Sequence, residues 1–310
     1  MARYLITGGC GFIGSHLADA LVARGHRVRI LDNLSTGKRE NAPTQAELVI
    51  GDVTEAAAIA TAAGGMDGIF HLAAIASVEE SRRNWLHCHA VNMTGTINVF
   101  EAARRGFARP RVVYASSAAV YGDCPAVPLT EADTPRPINA YGADKLGCEL
   151  HGRVATLLHD VPTVGLRLFN IYGERQDPSS PYTGVISIFA DRLARRLPID
   201  IHGDGRQVRD FVAVSDAVEA LLLAMSAEDA AGEAFNVCSG YGTTVHELAS
   251  IMGEICGAAP ELRYGPARPG DIRISLGDPT RAARTLGFRT RLAIRQGLAL
   301  SFGTAPQRIS

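Results

Sequence analysis

The sequence predicts an α/β protein: a doubly wound parallel sheet followed by a smaller C-terminal α/β substrate domain. Three observations predict it. Short apolar runs alternate with longer helical patterns through the first half of the 310 residues. The runs are apolar throughout, as in strands covered on both faces. A glycine-rich turn joins the first run to the first helix, at the sheet edge where such folds bind ligands.

The strands are expected at Tyr4 to Thr7, Val28 to Leu31, Leu48 to Ile50, Ile69 to Ala73, Val112 to Ala115 and Val164 to Phe169. Helical patterns run from Phe12 to Arg24 and from Trp85 to Arg105. Right-handed crossovers then place helices on both faces of the sheet. Pro125, Pro128, Pro135 and Pro137 mark a loop between Gly122 and Tyr141, and Glu174 to Pro181 reads as a second. Beyond it a helix is expected over 184–196 and a strand over Ile199 to Ile201. Thr244 and Glu247 have the spacing of a capping box that opens a later helix. No internal repeat is visible, and the tail after Gly303 is expected to fray. This divides the chain into a dinucleotide-binding domain over 1–172 and a substrate domain over 173–310. Segments within 206–240 are expected to return to the first.

With 31 basic against 32 acidic residues the net charge is −1. That leaves no basic excess to attract nucleic acid or an anionic membrane, so neither is expected as a partner. The start, MARYLITGG, lacks the pattern of a signal peptide. No run reaches the roughly 18 apolar residues of a membrane span. Six cysteines without a C-x-x-C pair suggest reduced thiols in a cytoplasmic protein. His87 and His89 do not share a helix face, so no metal is expected.

The turn Gly8-Gly9-Cys10-Gly11-Phe12-Ile13-Gly14 follows the first strand and opens the first helix. Glycines at 8, 11 and 14 let the backbone approach a pyrophosphate, which the helix N-terminus attracts. Asp32 ends the second strand, where a carboxylate accepts ribose hydroxyls and repels a 2′-phosphate. Asn33-Leu34 follows, with no arginine, so NAD is expected over NADP. Asp52-Val53 follows the third strand, either at the adenine edge or with Asp52 as a helix N-cap.

Tyr141 and Lys145 stand four apart in a helical stretch and so share a face. A phenol ordinarily titrates near pH ~10, and an ammonium beside one favours the phenolate. That pairing makes a general base for hydroxyl oxidation. Ser116-Ser117 ends the fifth strand, where a hydroxyl bonds a reacting oxygen or merely caps a turn.

Gly8 to Leu17 (GGCGFIGSHL), His71-Leu72-Ala73-Ala74, Ser116-Ser117, Tyr141 with Lys145, and Asn170-Ile171-Tyr172-Gly173 together resemble the extended short-chain dehydrogenase/reductase family. Within it the chain is most similar to the UDP-hexose 4-epimerases, from about residue 3 to about residue 280. The resemblance implies a Rossmann-type fold and a bound NAD. It implies a reaction in which a sugar C4 is oxidised, the keto sugar turns about its diphosphate, and the hydride returns to the other face. It makes Ser117, Tyr141 and Lys145 catalytic, and places Leu72, Ala73, Ala74 and Asn92 at the cofactor. Ser116, Asn170, Arg209, Arg268, Asp271 and Ser275 fall to the UDP-sugar. Guanidinium forks suit diphosphate oxygens. It also implies a homodimer, formed by the helices over 85–105 and 141–159.

Relatives differ at single positions. Sugar 4,6-dehydratases place Thr-Asp-Glu where this chain has Ser117-Ala118-Ala119. Uronate-acting epimerases carry threonine at the position of Asn170 and arginine at that of Asp177, whose charge is expected to repel a uronate. Ser275 stands where enzymes restricted to glucose and galactose have tyrosine, which leaves room for a 2-acetamido group. UDP-glucuronate decarboxylation, another nucleotide-sugar short-chain dehydrogenase activity, NADP-dependent ketone reduction and dinucleotide sensing without catalysis are the alternatives.

Overall fold

The computed structural model describes residues 1–106, 108–177, 184–267 and 272–303. Seven strands form a wholly parallel sheet. In chain order they are β1 (Arg3–Thr7), β2 (Arg27–Asp32), β3 (Glu47–Ile50), β4 (Gly68–His71), β5 (Arg111–Ser117), β6 (Thr163–Leu168) and, much later, β10 (Glu233–Val237). The spatial order is β10-β6-β5-β4-β1-β2-β3. Neighbouring residues of a strand point to opposite faces, and the cores divide accordingly. Ile6 and Val113 join a cluster with Leu17, Leu21, Leu221 and Phe235. Leu5 and Val112 join another with Ile59, Val99 and Phe100. The first cluster is covered by α1 (Phe12–Ala23), the second by α2 (Ala56–Ala63), α5 (Gly95–Arg105) and α6 (Ala140–His159).

The strand order reverses between β1 and β4, which opens a crevice at their carboxyl ends. The fourth strand is shorter than the sequence suggested. It ends at His71, and residues 72–77 leave the sheet as irregular chain. The long helix expected over 85–105 is interrupted. After α3 (Val78–Arg83), α4 (Trp85–His89) gives way to a π turn over Ala90–Thr94 before α5 resumes. That widened turn presents Asn92 to the end of β4, where it exchanges two hydrogen bonds with Ile75.

The remaining elements are β7 (Asn170–Tyr172), α7 (Val185–Ala194), β8 (Ile199–His202), β9 (Val208–Ala213), α8 (Val214–Ser226), β11 (Gly242–Thr244), α9 (Val245–Ile255), β12 (Leu262–Gly265), β13 (Ile274–Ser275), α10 (Thr280–Thr285) and α11 (Ile294–Phe302). β9 pairs with β7, β11 and β13 in a small mixed sheet, and β8 pairs with β12. Phe189, Ile201, Phe211, Leu248 and Met252 form their core. The stretch 206–240 divides: β9 stays in the small sheet, α8 packs on α1, and β10 extends the large sheet beside β6. The Thr244–Glu247 capping box is present at the start of α9. Among the described residues no helix is long and apolar enough to cross a membrane.

Candidate active site

The crevice begins at the glycine turn. Gly8 has φ +71°, and a Cβ there would stand 2.7 Å from the Ala73 amide nitrogen. A Cβ on Gly14 would stand 2.2 Å from the Gly8 carbonyl oxygen, so only glycine lets α1 start this close to β1. The first i→i−4 bond of α1 runs from Ser15 N to Gly11 O. The amides of Phe12, Ile13 and Gly14 therefore precede the helical ladder. No acidic side chain occupies the first turn and no side chain caps it. A cradle of this shape, with the positive end of a helix dipole behind it, fits a pyrophosphate.

Asp32 ends β2 beside this cradle. Its Oδ2 accepts from the Cys10 amide at 2.9 Å and its Oδ1 from the Leu34 amide at 2.8 Å. Lys38 N and Asn41 Nδ2 both donate to the Cys10 carbonyl, which ties the loop after β2 to the glycine turn. Both carboxylate oxygens are thereby fixed beside the glycine turn. Asn33 donates to Asp52, whose other oxygen takes the Thr54 amide and hydroxyl. Burial works to raise the Asp52 carboxyl, but these hydrogen bonds outweigh it and hold it below its ordinary value. Asp52 is not a helix N-cap; Glu55 holds that position in α2.

Two residues expected at the cofactor are committed elsewhere. Val53 packs beneath Gly95, and its carbonyl accepts from Asn98. Asn92, fully buried, gives both ends of its amide to the Ile75 backbone. It shapes residues 72–77, with Leu72, Ala73 and Ala74 at their start. Leu72 N donates to Thr7 O and Ala73 N to Thr7 Oγ1, so this segment stays beside Gly8.

Asn139 caps α6 by accepting from Gly142 N, which sets the turn that carries Tyr141. Lys145 is buried, and its Nζ donates to Ala115 O of β5 at 2.8 Å. The same Nζ lies 5.9 Å from the centroid of the Tyr141 ring. Ser117 is half-buried at the end of β5, its Oγ accepting from Ala119 N. Tyr141, Lys145 and Ser117 are thus brought together at one strand end. Ser116 is not with them. Alternation along β5 turns it inward, 2% exposed, where its Oγ donates to Glu149. The expectation that it meets substrate is corrected: it belongs to the interior.

The sequence reading missed His71. Thr96 spends its hydroxyl proton on Asn92 O, so it accepts from His71 Nε2, and Nδ1 is left to accept from Thr7. Complete burial, with the nearby Lys145 charge, pushes the imidazole down to about 3. The motif His71-Leu72-Ala73-Ala74 was visible, but not the threonines it would meet.

On the substrate side a cavity of about 380 Å³ is lined by Asn170, Phe189, Arg192, His202, Gln207 and Arg209. Ser275 faces Arg209 across the β13–β9 register and is almost buried. Arg268 and Asp271 lie outside the described residues. Three contacts tie the loop after β7 to the cofactor half. His16 Nε2 lies 3.0 Å from Glu174 O, Arg175 pairs with Asp19 at 2.7 Å, and Asp177 pairs with Lys38 at 3.2 Å. Asp177 is therefore charge-compensated, which weakens its expected repulsion of a uronate. Among the described residues no three His, Cys, Asp or Glu side chains gather as a metal site.

Comparison with known proteins agrees with this geometry. Residues 4–238 match the NAD dependent epimerase/dehydratase family. The chain is 37% identical to a UDP-glucose 4-epimerase of Mycolicibacterium smegmatis over 303 residues, covering 96% of each. It superposes with a TM-score of 0.93 on the UDP-glucose 4-epimerase of Thermotoga maritima with UDP-glucose, at 36% identity and covering 97% of each chain. It superposes at 0.89 on the UDP-glucose 4-epimerase of Thermus thermophilus in complex with NAD, at 35% identity and the same coverage.

Proposed function

The chain belongs to the NAD dependent epimerase/dehydratase family, and from that premise we propose that it is an isomerase that inverts the 4-hydroxyl of a UDP-hexose. One observation carries this reading: Lys145 lies beside the Tyr141 ring and holds Ala115 O, two residues before Ser117 at the end of β5, in the same sheet edge as the glycine cradle and Asp32. Gly8, Gly11, the first-turn amides of α1, Asp32 and the segment 72–74 would hold NAD. When bound, that cofactor supplies a hydride acceptor and donor at one site, so the reaction has no net redox change.

The chain's own groups move the proton. Tyr141 takes the proton of the sugar hydroxyl, and the Lys145 ammonium, fixed on Ala115 O, stabilises the phenolate. Ser117 bonds the reacting oxygen and orients it toward Tyr141. Asn170 and Arg209 grip the diphosphate, and a firm hold there leaves the hexose ring free to turn. The same proton returns when the hydroxyl is restored on the other face. The six cysteines are free thiols, which suits a cytoplasmic setting.

Separate incubation with UDP-glucose, UDP-N-acetylglucosamine and UDP-glucuronate tests the reading. The expected products are C4 epimers of the first two, with no change in nicotinamide absorbance. Tyr141→Phe is expected to lower kcat by about 10²–10⁴-fold while NAD stays bound. A pentose product from UDP-glucuronate points instead to decarboxylation, and bound NAD without turnover to a sensor. Normal turnover by Tyr141→Phe removes Tyr141 from the mechanism.

The sugar pocket is the second part of the reading. Ser275 is small and pairs with Arg209, and the reading is that a side chain of this size admits a 2-acetamido group where a tyrosine would not. Ser275→Tyr is expected to reduce kcat/KM for the acetamido sugar about tenfold or more relative to UDP-glucose, since a bulky ring would occupy that space. An unchanged ratio of the two substrates defeats the size argument.

A further inference from the structure

We propose that Ser116, Glu149 and Arg167 position the catalytic serine, acting on Ser117 through the turn that all of them brace. The proposal rests on the reading of Ser117 as the residue that bonds the reacting hydroxyl.

Ser117 closes β5 in extended conformation, and Ala118–Tyr121 then turns as a single 3₁₀ segment. That turn is fastened on both sides of Ser117. On the preceding side, Ser116 Oγ donates to Glu149 Oε1 at 2.5 Å. On the following side, the Tyr121 hydroxyl accepts from Arg167 Nη1 at 2.8 Å and donates to Asn236 Oδ1 at 2.6 Å. Arg167 joins the two sides. Its Nε and Nη2 hold the two oxygens of Glu149 at 2.9 and 2.7 Å, and its guanidinium lies over the Tyr121 ring, 4.8 Å from the centroid. Every member of the set is buried. One guanidinium fork thus spans the residue before Ser117 and the residue four after it.

The same helix supplies the base and the brace. On α6, Tyr141, Lys145 and Glu149 stand at i, i+4 and i+8, so they lie along one face. Lys145 holds Ala115 O, and Glu149 holds the Ser116 hydroxyl. Consecutive residues of β5 are therefore fastened to consecutive turns of α6, directly before the residue that must meet Tyr141's substrate. A buried ion pair is weak evidence of stabilisation, because desolvation offsets the attraction. What this one provides that apolar packing would not is a single orientation: the bidentate fork admits one geometry, with both ends on the turn. Reacting groups held in correct register contribute strongly to rate, and small displacements are costly.

The test uses hydroxyl deletions in the holoenzyme. Ser116→Ala and Tyr121→Phe each remove one oxygen and add no bulk. Each is expected to lower kcat about tenfold, with the KM for UDP-glucose and the NAD content unchanged. Ser116→Thr, which keeps the hydroxyl, is expected to restore most of the loss. The decisive comparison adds Ser116→Ala to Ser117→Ala. If Ser116 acts through Ser117, the double variant turns over no more slowly than Ser117→Ala alone. A further fall in kcat shows a general structural role and overturns the proposal, as does a wild-type kcat in Ser116→Ala when Ser117→Ala is impaired. A Ser117→Ala enzyme at full speed defeats the reading of Ser117 itself, and the brace then has nothing to position. Should one single variant fail to fold, the other reads the same turn from its opposite side.

Discussion

At the scale of single residues the interior carries an acid sensitivity. His71 is neutral in the fold, held between Thr7 and Thr96, and burial and Lys145 push it down to about 3. In the unfolded chain it titrates near ~6.5. Between those values the unfolded state binds a proton that the fold refuses, so the stability His71 contributes is present above about pH 6.5 and is lost as pH falls toward 3. One such proton removes up to about 1.4 kcal/mol per pH unit. His71→Asn is expected to lower Tm at pH 7.5 yet flatten its decline between pH 6.5 and pH 4.5; an acid limb as steep as wild type would assign the sensitivity to other groups. The sequence could not reveal this site, because Thr7 and His71 are 64 residues apart and meet only across the sheet. The placement of Gly8, Gly14, Asp32, Tyr141 and Lys145 was legible because it depends on local spacing. Ser116 was misread although strand alternation contains the answer: neighbours on β5 cannot both face the crevice.

At the scale of elements, the parallel strands were legible because each is apolar throughout and short. What escaped was decided by distant partners. The apolar pattern over 85–105 is continuous, yet the helix widens at Ala90–Thr94, where Asn92 must reach Ile75. β10, within the stretch expected to return to the first domain, does so by pairing with the edge strand β6, although no local pattern names that partner. The loop over 174–177 reads as polar punctuation, but its pairs with Asp19 of α1 and with Lys38 after β2 tie it to the glycine-turn side of the crevice. Each of these exposed pairs contributes little to stability, about 0–1 kcal/mol. Their consequence is geometric: they align Asn170, in the strand just before the loop, with the glycine turn.

For the whole molecule, α4 and α6 carry the face on which the homodimer implied by the family resemblance would form. α6 turns Lys145, Cys148, Gly152 and Ala155 to the sheet. On its outer side Leu150, Val154, Leu157 and Leu158 are exposed at helical spacing, and Trp85 and Leu86 are exposed on the adjoining α4. A contiguous apolar face of this kind on a folded chain marks an interaction surface. Covering each large side chain yields roughly 1.5–3 kcal/mol, so a twofold contact of α6 with its copy gains the same stripe twice. Light scattering is expected to give a dimer for the native chain and a monomer for Leu150→Glu/Leu157→Glu. Because the stripe and the Tyr141–Lys145 pair share α6, the monomer is also expected to lose thermal stability and turnover together, with UDP binding at Arg209 retained. A monomeric native chain, or a charged variant that still pairs, leaves this face without the role assigned to it.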